Sequence, residues 1–428
     1  MSRLIYSLIL YLLLPFTPIK LLWRGVKQPT YLKHWAERYG FFHQKVNQPI
    51  IWLHCVSVGE TRAAGPLVNQ LLDAYPKHAI LLTHTTPTGR EAGEQLFPTD
   101  QYPQVMRCYL PYDAPLAVAR FLEHFKPSIG LLMETELWFN LIAACKTKNI
   151  PLLLVNARLS KRSAKGYAKV RKLTEQALIS LAAIAAQTEQ DAARFASLMQ
   201  ISARTIHVMG NLKFDVIPPD GEAERGRYLR GLLGLNRPVF LAASTRDGEE
   251  AIILDALSTS QMPNLLTIIV PRHPQRFDEV AKLLEARGLA YCRRSEFAMG
   301  NVASEIANCQ VILGDSMGEM FTYYAACDVA FIGGSLMPLG GQNLIEACAM
   351  GKPVLIGEHT FNFSDATEQA VAAGAAIRVS EKDLAEKLSG LMNDSAQQAA
   401  MGKAALSFSQ HTSGATNRLM QLISQNLK

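Results

Sequence analysis

VAFIGGSLMPLGGQNLIEACAMGKPVLIG, residues Val329 to Gly357, contains two strand signals, a glycine-rich turn and a helix signal. Val329-Ala330-Phe331-Ile332 is the continuous apolar run that a strand buried on both faces requires. Gly333-Gly334-Ser335 allows a sharp turn, Gly340-Gly341 is expected to open a helix through Leu344, Ile345, Ala347, Cys348 and Met350, and Gly351 is placed to end it. Pro353-Val354-Leu355-Ile356-Gly357 then reads as the next strand. Such a βαβ unit can hold a phosphate on free N–H groups at the helix start. Glu346, about one turn into the helix, either accepts hydrogen bonds from sugar hydroxyls or is a solvated glutamate beside a packing turn.

The same alternation extends in both directions. Upstream, Pro238 to Ala243, Leu265 to Val270 and Val311 to Gly314 read as strands, and the stretch from Glu381 to Leu427 is mostly helical. The front of the chain holds a second series, with strands at Ile50 to Val56, Ala79 to Thr83, Ser128 to Met133 and Pro151 to Val155 and helices between them. Helices alternating with apolar strands predict two doubly wound parallel sheets, with ligands beyond the carboxyl ends of the strands and a cleft between the halves as the default site. In the first half, His54, Ser57, Glu60, His84, Thr85, Thr86, Glu134, Glu136, Asn156 and Arg158 fall at those ends. In the second half, Pro271-Arg272-His273-Pro274 makes a phosphate clamp at one of them.

Length and composition agree with this division. The 428 residues exceed one ordinary core, and 49% hydrophobic with 19% charged residues excludes a disordered chain. A net charge of +6 suits anionic partners such as phosphates, nucleotides or an anionic membrane face. Seven scattered cysteines without a CxxC pair predict reduced thiols and a cytosolic setting. Residues 1–30 are expected to form a membrane anchor, apolar from Leu4 to Ile19, interrupted by Pro15 and Pro18 and followed by Lys20, Arg24, Lys27 and Lys33. That run either spans a bilayer or lies in its interface with the basic flank on anionic lipid. The first α/β domain is expected over 31–210, a Gly/Pro-rich linker over 211–227, and a second α/β domain with C-terminal helices over 228–428.

Two readings compete at the glutamates. Ser57-Val58-Gly59-Glu60 and Ser316-Met317-Gly318-Glu319 both match a capping box, in which the serine caps a helix and the glutamate bonds back to it. A helix N-terminus also favours an ionised carboxylate, so a capping glutamate can still act as a base. Glu134 and Glu136 either meet an acceptor or are first-turn carboxylates of the following helix. The cationic run from Arg158 to Lys172 is either a solvated face or a contact for lipid phosphates. No DxD, HExxH, CxxC, GxGxxG-after-strand or Walker pattern is present, which removes the metal, dinucleotide and P-loop fingerprints.

These motifs together resemble the 3-deoxy-D-manno-octulosonic acid (Kdo) transferases, glycosyltransferases of the GT-B architecture. The resemblance runs from the apolar N-terminus through Trp35 to Gly40, His54 to Glu60, Met133 to Trp138, Asn156 to Ser160, Leu212 to Asp215, Pro271 to Pro274, Gly314 to Glu319, Gly333 to Glu346 and His359 to Phe363. It implies Kdo transfer from CMP-Kdo to the lipid A precursor (lipid IVA), with inversion, without a metal or cofactor, and with Glu60 as general base. CMP would be bound by Pro271 and Arg272, by Met317, Gly318 and Glu319, and by Asn343, Leu344, Ile345 and Glu346, with Gly340 and Gly341 cradling its phosphate. Ser57, Gly59, Glu134, Glu136, Arg158 and Lys213 are the acceptor and transition-state candidates. The partners implied are the donor, the lipid acceptor and the cytoplasmic face of a bacterial inner membrane, and no nucleic acid. Gln342, Leu344, Phe139 and Arg246-Asp247 depart from the residues usual in that family. A UDP-sugar enzyme of the same fold, such as a 2-epimerase or a lipid A disaccharide synthase, is the rival reading. A non-catalytic membrane-tethered binding protein is another.

Overall fold

The computed structural model describes residues 2–199, 205–216, 218–259, 262, 264–297 and 302–427. They form two units, Met1–Asp215 with Gly414–Lys428, and Val216–Ser413. In the first unit the strands are β1 Ile50–His54, β2 Ala79–His84, β3 Val105–Tyr109, β4 Ile129–Met133, β5 Leu152–Ala157, β6 Ala183–Ala186 and β7 Ile206–Val208. They lie in the order β3-β2-β1-β4-β5-β6-β7, and every pairing is parallel. Ile50 and Trp52 enter the core on one face of this sheet, and Ile51 and Leu53 the core on the other. Helices on both faces explain why the strands read as unbroken apolar runs rather than alternating ones.

The second unit repeats the plan. Its strands are β8 Val239–Thr245, β9 Leu266–Pro271, β10 Tyr291–Arg293, β11 Val311–Leu313, β12 Val329–Ile332, β13 Val354–Ile356 and β14 Ala376–Arg378. Their order is β10-β11-β9-β8-β12-β13-β14, and again every pairing is parallel. Each sheet therefore changes winding direction once, between β1 and β4 and between β8 and β12. Loops diverge at such a point and leave a crevice beyond the strand ends, where ligands bind in open α/β sheets.

Several expectations need correction. Gly340 and Gly341 do not open a helix: both have positive φ, +94° and +74°, and form a turn ahead of a short helix at Ile345–Ala349. The Gly341 N–H is donated to the Gly334 carbonyl, and a Cβ at Gly340 would lie 2.2 Å from the Asn362 side chain, so a close approach of backbone needs glycine here. Glu134 and Glu136 precede the helix Phe139–Thr147 rather than lying in its first turn. The expected linker contracts as well, since Leu212 is buried in the first unit's core and the helix Glu222–Leu233 belongs to the second unit.

The last helix, Ala415–Asn426, belongs to the first unit, whereas sequence order groups it with the second. Its Leu419, Leu422 and Ile423 join the core beneath β1 and β4. Asp215 secures it by accepting the N–H groups of Gly414 at 2.6 Å and Thr416 at 2.5 Å. The thiols also differ from expectation. Cys292 on β10 is disulfide-bonded to Cys309, while Cys55, Cys108, Cys145, Cys327 and Cys348 are free and buried. The pairing of β10 with β11 brings together two cysteines that are 17 residues apart, and it removes the argument from thiols to compartment.

Candidate active site

The carboxyl end of β1 leads into a tight cap. Ser57 is the N-cap of the helix Val58–Ala63, and its Oγ accepts the Glu60 N–H at 3.3 Å. Glu60 folds back: its carboxylate accepts the Ser57 hydroxyl at 3.0 Å and the Val56 N–H at 2.7 Å. This is a variant of the capping box, in which the glutamate returns to the cap hydroxyl and to the N–H one residue before the cap, and it holds the carboxylate over the end of the strand. A Cβ at Gly59 would meet only the Ser57 hydroxyl, at 3.8 Å, so the turn is open in front.

Glu60 is buried, and burial raises its pKa to about 7 despite the two hydrogen bonds, with further upward pushes from Glu134 and Glu136. Glu134 directly follows β4 with φ +58°, a left-handed conformation that turns its carboxylate to the ammonium of Lys213, 3.1 Å away. Glu136 accepts the Trp138 indole N–H at 2.7 Å, and burial raises its pKa too. Asn156 on β5 also has positive φ (+50°), and its Oδ1 accepts the Leu212 N–H at 3.0 Å, which anchors the segment carrying Lys213. Left-handed residues at two neighbouring strand ends are costly and persist only where surroundings impose them, which marks this rim as specialised.

His54 lies under the rim. Burial, with His84 adding to it, lowers its pKa to about 3, so the ring is neutral, and its Nδ1 contacts the Thr83 hydroxyl at 2.9 Å. Arg158 follows β5, and its carbonyl accepts the Thr135 hydroxyl. Of the acceptor-side candidates, Ser57, Glu60, Glu134, Glu136 and Lys213 are therefore tied into one polar cluster by hydrogen bonds, an ion pair and mutual charge effects.

The rim of the second unit is cationic. Arg272 follows β9 with its side chain exposed. Partial burial lowers the pKa of His273, and the nearby charges of Arg246, Arg272 and Arg276 lower it further. Arg276 is itself paired with Glu250 at 2.6 Å, Glu279 at 3.4 Å and Asp247 at 3.6 Å, so the positive field here comes from Arg246 and Arg272. Asn343 organises the short helix, with Oδ1 accepting the Ile345 N–H at 3.1 Å and Nδ2 donating to Glu346 at 3.3 Å. Burial raises the pKa of Glu346, and Arg272 opposes the rise, which places that arginine's field on the same spot. The Ser316 segment departs from a capping box, because its helix begins only at Met320. Glu319 accepts the Ser316 hydroxyl and pairs with Arg294 at 2.6 Å, while Gly318 turns with φ +83° and Met317 is largely exposed.

Sequence reasoning passed over Glu249. It is fully buried three residues after Arg246, and its carboxylate accepts four backbone N–H groups: Arg246 at 2.8 Å, Gly334 at 2.5 Å, Ser335 at 2.9 Å and Leu336 at 3.0 Å. It thereby clamps the glycine turn after β12 to the end of β8. The spacing to Arg246 repeats that of Ser57 and Glu60, but arginine rather than serine stands three residues before the glutamate, so nothing flags a cap.

Comparison with known proteins places this chain in a family. Residues 33–216 match the sequence family described as 3-deoxy-D-manno-octulosonic-acid transferase, and residues 303–408 match glycosyl transferases group 1. The chain is 45% identical over 381 residues to the 3-deoxy-D-manno-octulosonic acid transferase of Bordetella pertussis, covering 87% of this chain and 86% of the other. The chain is a member of the 3-deoxy-D-manno-octulosonic acid transferase family. A second Kdo transferase, from Haemophilus influenzae, is 38% identical over 410 residues, 94% of each chain. Among solved structures, the UDP-GlcNAc 2-epimerase of Neisseria meningitidis superposes with a TM-score of 0.55 at 15% identity, over 88% of this chain and 100% of that one. That likeness speaks to fold alone, and the fold is GT-B. As a Kdo transferase the chain is a glycosyltransferase, and both rims lie where such a fold presents its ligands.

Proposed function

We propose that this Kdo transferase moves Kdo from CMP-Kdo to a primary hydroxyl of the lipid A precursor, with Glu60 as general base. The observation that carries the reading is the Glu60 carboxylate: buried, held at the end of β1 by its own helix cap, and with a pKa of about 7 because burial and two neighbouring carboxylates disfavour its charge. A base is most effective when its pKa lies near the working pH. The hydroxyl loses its proton to Glu60 as its oxygen attacks the anomeric carbon of Kdo. The glycosidic bond forms as the bond to the CMP phosphate oxygen breaks, and one displacement inverts the anomeric configuration.

CMP leaves as an anion, and the second unit's rim suits it. Arg272 and the neighbouring Arg246 supply positive field for the phosphate, and Gly340 and Gly341 permit close backbone approach. Met317, Gly318, Glu319 and Asn343 to Glu346 frame the nucleotide in this reading. Lys213, already paired with Glu134, is a candidate for the Kdo carboxylate. The sequence holds no DxD pair, and the proposal needs no divalent ion to stabilise the leaving group. The exposed cations of Lys161, Arg162, Lys165, Lys169, Arg171 and Lys172 suit the phosphates of the lipid acceptor at the cytoplasmic face of the membrane.

The test is turnover of CMP-Kdo with a tetra-acylated lipid A precursor in EDTA, read by mass spectrometry of the lipid. A mass gain of one or more Kdo units supports donor, acceptor and metal independence together. No gain in EDTA with recovery in magnesium overturns metal independence, and no gain under either condition overturns the donor–acceptor pair.

A further inference from the structure

The N-terminal segment is a helix Arg3–Leu13, a short turn Leu14–Phe16 containing Pro15, and a second helix Thr17–Lys27. In length and hydropathy it could cross a bilayer. The side chains of Tyr6, Ser7, Tyr11 and Thr17 are, however, already engaged. Tyr6 donates its hydroxyl to Asp113 at 3.0 Å, and Ser7 donates to Asn140 at 2.9 Å. The Tyr11 hydroxyl accepts the Leu116 N–H at 3.2 Å, and the Thr17 and Tyr39 hydroxyls meet at 2.8 Å. Asp113 is buried and also accepts the N–H groups of Asn140 and Leu141 at the start of the helix Phe139–Thr147. One carboxylate thus ties the segment to the body.

The apolar side chains face the other way. At 3.6 residues per turn, Tyr6, Ser7 and Tyr11 fall within an arc of about 140°, and Leu4, Ile5, Leu8, Ile9, Leu12 and Leu13 fill roughly the opposite half. Those six are 44–72% exposed, and Phe16, Ile19, Leu22, Trp23 and Val26 continue the exposed face. The sequence has no acidic residue before Glu37, while Arg3, Lys20, Arg24, Lys27 and Lys33 are cationic. An apolar face edged by cations alone, with an exposed tryptophan, fits the surface layer of a bilayer that carries anionic lipids. A span would require residues 6 to 17 to leave the body and carry Tyr6, Ser7 and Tyr11 into hydrocarbon without these partners.

We infer that residues 3–27 lie in the plane of the membrane surface, docked on the first unit through Tyr6, Ser7, Tyr11 and Thr17, with the opposite face immersed in one leaflet of anionic lipid. This goes beyond the transfer reaction and stands without it, because it is measured with no substrate present. The full-length protein carrying a nitroxide on Leu4→Cys, Leu12→Cys or Val26→Cys, one at a time, is bound to vesicles of phosphatidylethanolamine with about one quarter phosphatidylglycerol. Depth is read from collision with oxygen against a water-soluble nickel chelate. The expected result is a depth of about 5–10 Å at all three sites, alike to within about half a helix diameter. A label at Leu12 near the bilayer centre, about 12 Å deeper than Leu4, with Val26 at the opposite surface, would overturn the inference in favour of a span. Full water accessibility at all three in the presence of vesicles would overturn it too, and so would spin–spin broadening between copies in their absence, which assigns the face to self-association.

Discussion

Glu60 and Glu249 occupy equivalent places in the two units. Each follows the first strand of its sheet, sits near the start of a helix, and folds back on a backbone N–H at the strand end, Val56 at 2.7 Å and Arg246 at 2.8 Å. Their surroundings then diverge. Glu249 receives three more N–H groups from the turn after β12, which leaves its oxygens no capacity for a reacting proton. Glu60 receives only one hydroxyl besides, and has two carboxylates nearby. The same fold-back therefore yields a structural clamp where donors are plentiful and a carboxylate with spare acceptor capacity where they are scarce.

The largest effect that separates the two is expected in turnover. Glu60→Gln should lower the rate of Kdo transfer about 10²–10⁴-fold, with an unchanged melting temperature and CMP affinity by calorimetry; full turnover would remove Glu60 as the base. Glu249→Gln should act through structure. Its amide nitrogen cannot accept, so at least one buried N–H is left unpaired, at about 1–3 kcal/mol of stability, seen as a lower denaturation midpoint and a raised KM for the donor. A loss of kcat with stability and KM unchanged would erase the contrast.

Acidity provides a finer test. In the wild type the rate should rise with pH through about 7, because Glu60 must be ionised to accept a proton and its pKa lies there. Glu134→Gln removes a neighbouring negative charge that helps raise that pKa, so the acid limb of the profile should move to lower pH. A shift in the other direction would contradict the electrostatic account. Smallest of all, Ser57→Ala deletes a helix cap and a hydrogen bond to Glu60, at about 1 kcal/mol of stability, together with a displaced pH profile that no second-unit substitution should produce.

Much of this was legible in sequence because the strands are buried on both faces. Runs such as Ile50 to Leu53 and Val329 to Ile332 admit few other readings, and the winding pattern follows from their alternation with helices. Other elements were hidden for specific reasons. β3 has Arg107 at its centre, which looks unlike a strand until its guanidinium is seen to pair with Glu94 at 2.5 Å and the Phe97 carbonyl at 2.8 Å. β10 and β14 are three-residue edge strands, too short to show a period. At the sites, Glu60 was visible through its serine cap, whereas Glu249 depends on N–H groups about 85 residues away, and no local pattern encodes such a contact. The left-handed conformations of Glu134 and Asn156 were likewise beyond reach, since neither residue type requires them.

The position of the last helix has a consequence for biosynthesis. The first unit needs Ala415–Asn426 to complete one face of its core, and the Asp215 carboxylate waits for N–H groups that lie 199 and 201 residues further on. At about 5–20 residues per second on the ribosome, the first unit stays open on that face for roughly 10–40 s after its last strand has emerged, long enough for the second unit to fold ahead of it. A nascent chain arrested before Gly414 should therefore present an exposed apolar groove to chaperones, one that vanishes only when Ala415–Asn426 has emerged and docked.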